Sequence, residues 1–246
     1  MQINFTFKSD YPLILPIQYN HILQAFIYNS IDEELASFLH HKGFIVNKRP
    51  FKLFTFSRLT GNYSIDKESQ TINFGQEYQL KLASPLEIFC RSLCQCILTK
   101  KENILGKTMI QEVQIEIDEP KASGGSINVQ TRSPITAYST LLKADGAKYT
   151  CYFQPGETDF NRIVTENLKK KYEAVYKQTH PGGEIIVQPL SQQRQSIIMY
   201  KDFVIKGYFG RYRISGPDSL LQIALDAGIG SKNSQGFGFI ELMTKR

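Results

Sequence analysis

Nowhere in the 246 residues does an apolar run approach the ~18 residues that a membrane-spanning helix requires. The apolar patch near the start, Pro12 to Ile17 (PLILPI), is short and interrupted by prolines. No small-residue cleavage site follows it, so a secretory leader is not expected. Cysteine is scarce. Cys90, Cys94 and Cys96 fall in one apparent helix, Pro85 to Leu98, and Cys151 stands alone. No second ligand pair lies at metal-site spacing, so a structural zinc site is not expected, and the usage suits a reducing cytoplasm. No carboxylate cluster offers itself to a divalent cation, and no cofactor is expected. Low-complexity segments are missing, as are a dinucleotide fingerprint and a Gly-Lys-Ser/Thr phosphate loop. The stacking motif of the common RNA-recognition domain is also missing, and GFGF (Gly236 to Phe239) matches it only superficially. What remains is 41% hydrophobic and 21% charged residues, an ordinary globular composition. The net charge of +6 leans modestly toward a polyanionic partner such as nucleic acid.

The periodicities give a repeated order. Ile3, Phe5 and Phe7 alternate as in a strand, and from Tyr19 the spacing turns helical through Ile22, Leu23 and Phe26. A second helical stretch runs from Asp32 to His41, with Ser30 or Asp32 as its N-cap, and Gly43 ends it. Phe51–Leu59, Thr71–Phe74 and Glu77–Ser84 read as strands, Pro85 opens the cysteine helix, and Met109–Ile117 closes the unit. Asp118 to Gly125 (DEPKASGG) suits a short linker. A strand then starts at Ser126, Asp159–Gln178 is helical, and GEIIVQPL is a strand. SIIMYKDFVIKGYFGRYRIS reads as two strands turning at Lys206-Gly207, before a helix over Pro217–Ala227 and a last strand in GFGFIELM. The expected fold is α+β: two tandem ferredoxin-like (βαββαβ) domains, 1–120 and 126–246.

The most specific local feature is GIGSKNSQGFGFIEL, Gly228 to Leu242. Gly228, Gly230, Gly236 and Gly238 flank Ser231, Lys232, Asn233 and Ser234 between a helix and a strand. Glycines let backbone amides approach a phosphate, and lysine and asparagine add donors. A tight helix cap with a β-bulge and no ligand is an equally good reading of the residues alone.

With this loop on the page, the chain resembles the repeat-associated mysterious protein superfamily. Together with LPIQYNHILQAFIYNSI, FLHHKGF and FKLFTFSRL, it is similar to the CRISPR-associated endoribonucleases that process precursor CRISPR RNA. The resemblance spans nearly the whole chain, including Ser133–Ile135 and Glu166–Tyr172, and implies two ferredoxin-like domains. It also implies metal-independent cutting of repeat RNA that leaves a 5′-hydroxyl and a 2′,3′-cyclic phosphate. By the same resemblance the catalytic tyrosine, histidine and lysine fall on Tyr28, His40 and Lys52, with His41 adjacent to the assigned histidine. The implied partners are repeat RNA and subunits of an interference complex, with the enzyme a monomer or homodimer in the cytoplasm. A non-cleaving RNA-binding subunit of such a complex is the alternative.

The residue chemistry suits the assignment. A 2′-hydroxyl attacking its own phosphate must lose a proton, the leaving 5′-oxygen must gain one, and charge on phosphorus must be stabilised. Histidine can make either transfer, lysine can hold charge, and tyrosine can orient the nucleophile. At ~100° per residue Leu35, Phe38 and Leu39 form one buried stripe, with His40 far round from it. Tyr28 lies off the face of Ile22, Leu23 and Phe26. Lys48 and Arg49, and Lys201, Lys206, Arg211 and Arg213 interleaved with Tyr208 and Tyr212, could follow an RNA strand or simply be solvated. Lys169, Lys170 and Lys171 read as a solvated helix face, and His21 and His180 as structural or surface residues.

Overall fold

The computed structural model describes residues 1–142, 145–200 and 203–243. Alternation at Ile3, Phe5 and Phe7 produces the strand Gln2–Lys8, which buries all three side chains. It is central in an antiparallel sheet ordered Glu112–Asp118, Gln2–Lys8, Glu77–Ala83, Thr55–Phe56. Numbered along the chain, that order is 4-1-3-2. Helix α1 (Asn20–Asn29) follows the first strand, and α2 (Glu33–Ser37) comes after it, capped by Asp32, whose carboxylate accepts from the amides of Glu34 and Leu35. Helix α3 (Glu87–Thr99) follows the third sheet strand. Leu23, Phe26 and Ile27 of α1 and Phe89, Cys90, Leu93 and Ile97 of α3 share one core with the sheet.

The second half repeats the plan. Its antiparallel sheet runs Ile186–Pro189, Arg211–Ser215, Ser126–Thr131, Ile240–Leu242, again 4-1-3-2 when read from the last strand. Helices α4 (Thr158–Tyr176) and α5 (Asp218–Ala227) bury Phe160, Val164, Leu168, Leu220, Leu221 and Ala224 in its core. Both halves are therefore ferredoxin-like. No helix among the described residues is long and apolar enough to cross a membrane.

Several elements depart from the periodic reading. The expected strand Phe51–Leu59 is broken into Arg49–Phe51, Thr55–Phe56 and a short piece at Thr60–Gly61. Leu53 adopts φ +57°, and there the chain divides its side chains: Phe51 and Leu53 enter the second core, while Phe54 and Phe56 enter the first. Arg49–Phe51 pairs with Phe44–Val46 through a two-residue turn, Asn47-Lys48, both at positive φ as a type I′ hairpin requires. Thr71–Asn73 is a strand, but it pairs with Ile14–Pro16 and Ser64–Asp66 outside the main sheet. Met109–Ile117 is interrupted at Gln111. In the second half, Lys206 and Gly207 lie inside a strand, not at a turn: Arg194–Tyr200 pairs with Phe203–Phe209, and Arg211–Ser215 is separate. A further hairpin, Ala137–Leu142 with Lys148–Phe153, has no counterpart in the sequence reading.

The two sheets are joined by a charged cluster. Glu241, on the last strand, accepts hydrogen bonds from Lys81 of the first sheet and from Arg132. Burial would raise the Glu241 pKa, but the bonds and charges of Lys81 and Arg132 hold it below the usual carboxylate range. A carboxylate depressed in the folded state stabilises above its unfolded value of ~4.3 and loses that contribution as pH falls through the folded value. Glu241→Gln should therefore cost about 1–2 kcal/mol at pH 7. Denaturant titrations should show the deficit shrinking below pH ~4.3; a deficit independent of pH would show that the charge is not what matters.

Candidate functional site

The site begins with a local irregularity. After α2 the chain makes a five-residue π-turn, Phe38–Lys42, closed by the Gly43 amide donating to the Phe38 carbonyl at 2.7 Å. The wider turn changes which residues share a face. Leu39 is wholly buried, but Phe38, expected in the same stripe, is exposed. Gly43 has φ +66°, and a Cβ there would lie 2.7 Å from the Phe51 carbonyl oxygen. Its absence lets Lys52 pass alongside, and the Lys52 Nζ donates to the His40 carbonyl at 2.9 Å.

Tyr28, on α1, packs edge-on against His40, with ring centroids 5.7 Å apart and planes at 84°. Its ring also meets Phe54 at 5.7 Å, so Tyr28 is half-buried against the core and not free of it as the helical wheel suggested. The adjacent histidines diverge. His40 faces Tyr28, whereas His41 Nδ1 lies 3.0 Å from the Ser37 carbonyl and its ring lines a separate hollow with Glu33 and Glu34. Tyr28, His40 and Lys52 thus line one cleft of about 350 Å³, together with Lys232 and Ser234 of the glycine-rich loop. Burial, with the Tyr200 phenol nearby, pushes the Tyr28 pKa up to about 12. At neutral pH Tyr28 is a hydrogen-bond donor and not a base. Burial lowers the Lys52 pKa.

The glycine-rich loop divides between structure and surface. Gly228, Gly230, Asn233, Gly236 and Gly238 are buried, while Ser231, Lys232 and Ser234 are partly exposed. The Asn233 amide donates to the carbonyls of Ile229 (3.2 Å) and Phe237 (3.0 Å), so its donors are used within the loop. Beneath the loop sits Lys171, which is 3% exposed and not the solvated residue expected from its helix. Its ammonium donates to the carbonyls of Ala227 (3.3 Å), Gly228 (2.7 Å) and Gly230 (3.3 Å) and to Asn233 Oδ1 (2.6 Å). Lys169 and Lys170 remain partly exposed. From the other side, α1 reaches the loop: the Asn20 amide donates to Gln235 O (2.8 Å) and the Gln24 amide to Ser234 O (2.6 Å). Thr55 Oγ1 donates to Phe237 O at 2.9 Å.

Gln24, Tyr200, Phe203, Ile205 and Gln235 complete the cleft and were not singled out in the sequence. Asn20 and Gln24 carried a signal, since two amides one turn apart on an apolar helix need partners. Tyr200 carried none: its hydroxyl reaches Gln24 Oε1 from the paired strands Arg194–Tyr200 and Phe203–Phe209, a contact between residues 176 apart in the chain. Of the other basic candidates, Arg49 lines a second hollow beside the cleft, and Lys48 occupies the type I′ turn. Arg211 lines a separate groove of about 780 Å³ with Arg58, Arg132 and Arg194. Lys206 and Arg213 are exposed, Arg213 donating to Asn128 Oδ1. Tyr208 and Tyr212, expected as stacking surfaces, are buried and do not offer their faces. Lys201 lies outside the described residues. His21 is exposed, and His180 is buried beside Ser219.

The chain is similar to known proteins in sequence and in fold. Residues 117–242, just over half the chain, match the family model described as CRISPR associated protein Cas6, C-terminal. The chain is 25% identical over 244 residues to CRISPR-associated endoribonuclease Cas6 1 of Methanocaldococcus jannaschii, covering 98% of this chain and 92% of that one. It is 26% identical over 240 residues to CRISPR-associated endoribonuclease Cas6 of Pyrococcus furiosus, covering 95% and 86%. A solved structure of a Cas6-related protein from Pyrococcus furiosus superposes with a TM-score of 0.82 at 17% identity, covering 100% of this chain and 99% of that one.

Lys171 generates a test. Burial pushes its pKa down to about 7, against four acceptors that favour the ammonium. An unfolded lysine keeps its proton to ~10.4, so between about 7 and 10.4 folding releases a proton and stability rises with pH. Lys171→Met should cost about 2 kcal/mol near pH 7, because it leaves buried carbonyls unpaired. Thermal unfolding from pH 7 to 9.5 should show the wild-type advantage widening. Parallel curves would mean that the four acceptors keep the lysine charged throughout.

Proposed function

The chain belongs to the Cas6 family, and from that premise we propose that it cuts CRISPR repeat RNA within precursor transcripts to yield guide RNAs. The cut is made without a metal, by attack of the 2′-hydroxyl on its own phosphate, leaving 2′,3′-cyclic phosphate and 5′-hydroxyl ends. One observation carries this reading: a phenol, an imidazole and an ammonium, from α1, the π-turn and the segment after Arg49–Phe51, line a single cleft beside the glycine-rich loop.

In this scheme His40 makes one of the two proton transfers, from the 2′-hydroxyl or to the leaving 5′-oxygen, and solvent water makes the other. Tyr28 stays protonated and orients the nucleophile or the phosphate. Lys52 spends one N–H on the His40 carbonyl, which fixes its stem, and turns the remaining protons and its charge toward the phosphorane. Lys232, with Ser231 and Ser234, holds the RNA backbone, while Gly228, Gly230, Gly236, Gly238 and Asn233 shape the loop that presents them. The catalytic groups then belong to an N-terminal domain, 1–120, and the loop to a C-terminal domain, 126–246. Arg58, Arg132, Arg194 and Arg211 offer a second basic path for the same strand. The enzyme acts in the cytoplasm and passes its product to an interference complex.

His40→Ala should slow cleavage by about 10²-fold or more while leaving RNA affinity nearly intact, as read by single-turnover cleavage and filter binding. In EDTA the wild type should still cut repeat RNA, and a single 2′-deoxy substitution at the cut should stop it. Binding without cutting would make the chain a non-cleaving RNA subunit, and cutting of the 2′-deoxy strand would end the proposed chemistry. Lys232→Ala should weaken binding more than chemistry and lower the slope of log affinity against log salt by about 1. An unchanged slope would exclude a phosphate contact there.

A further inference from the structure

Beside the cleft lies a smaller hollow of about 250 Å³ whose lining includes Arg49, Lys52, Lys171 and Lys232 and no Asp or Glu. Among the described residues none of these four cations pairs with a carboxylate. The like charges of Arg49, Lys52 and Lys232 around so small a space repel one another, and an anion between them would relieve that repulsion. The hollow is below the ~300 Å³ at which pockets begin to enclose a drug-sized molecule, so it suits a single compact charged group.

We propose that this hollow is a binding site for a second phosphodiester of the bound RNA strand, a neighbour of the one that is cut. The proposal rests on the repeat-RNA reading above and adds Arg49 and Asn167 to the residues that hold the strand. The hollow shares Lys52, Lys232 and Ser234 with the catalytic cleft, so the two sites are continuous and one strand can occupy both. The parts differ in role. All N–H groups of Lys171 are committed to the loop carbonyls and Asn233, so it offers the strand no hydrogen bond, and an anion in the hollow would favour its charged form. The Lys232 ammonium is held 5.4 Å from the centroid of the Tyr138 ring, which keeps it at the wall of the hollow. Arg49 is exposed at the rim, on a rigid two-residue hairpin, and its planar fork can take two phosphate oxygens. Asn167, one turn before Lys171 on α4, also lines the hollow and has a buried amide oxygen with no hydrogen-bond partner. That amide can accept from a ribose hydroxyl or, turned over, donate to the phosphate. Burial lowers the pKa of Lys52, Lys171 and Lys232, a cost that a bound anion would offset.

The test uses repeat RNAs made uncleavable by a 2′-deoxy sugar at the cut, each carrying one neutral methylphosphonate at a phosphate near it. Affinities are measured for the wild type, Arg49→Ala and Arg162→Ala, the last a control on the solvent face of the same α4. Arg49→Ala should weaken binding about tenfold, and Arg162→Ala should not. At one phosphate next to the cut, the methylphosphonate should weaken wild-type binding about tenfold yet cost Arg49→Ala little more; which side it lies on gives the direction of the strand. Asn167→Asp, which puts a carboxylate into the hollow, should weaken binding at least as much as Arg49→Ala. Additive effects at every phosphate, or unchanged affinity in Arg49→Ala, would overturn the proposal. All-ribose RNA cut in parallel tests the catalytic reading separately, since binding to the uncleavable strands does not depend on it.

Discussion

The site depends on one buried lysine. Lys171 gathers three backbone carbonyls and the Asn233 side chain under the glycine-rich loop, at the point where α5 ends and its last carbonyls have no helical partner. Without such a donor the turn from α5 into Gly228–Gly238 would bury unpaired oxygens, and the loop would open toward water. With it, the loop is fixed from below by α4. Asn20, Gln24 and Thr55 fix it from the side with bonds from the first half of the chain. The loop is therefore the joint between the halves as well as a wall of the cleft.

The same joint explains why the catalytic candidates sit where they do. The hairpin Phe44–Phe51 comes from the first half but sends Val46 and Phe51 into the second core. Leu53 follows them, and Phe54 returns to the first. Lys52, flanked by Phe51 and Leu53, is anchored on both sides in the second core, just before the chain returns to the first at Phe54. His40 is held by the closed π-turn, and Tyr28 by its packing on Phe54. Each of the three side chains is thus carried by rigid backbone, the condition under which a catalytic group keeps its geometry without substrate.

Much of this was legible beforehand. Alternation at Ile3, Phe5 and Phe7, the helical spacing of α1, α3, α4 and α5, and the glycine-rich loop were enough for the doubled βαββαβ order. Long-range commitments were not legible. Lys171 reads as one of three lysines on a polar helix, and nothing local shows that its face meets the end of α5. Tyr212 reads as a stacking aromatic among arginines, yet strand alternation turns it inward. The break at Leu53 was hidden because a run of apolar residues looks the same whether it feeds one core or two. The π-turn was invisible because a 3.6-residue period was assumed across it.

That wide turn has an effect on the paired histidines. An ordinary α-helix through Phe38–Lys42 would wind these residues more tightly and so re-aim both imidazoles relative to Tyr28. The direction of each ring is therefore decided by backbone winding as well as by residue type. Identity at His40 in a related chain carries meaning only where the bulge that aims it, and the bare α-carbon of Gly43 that closes it, are retained as well.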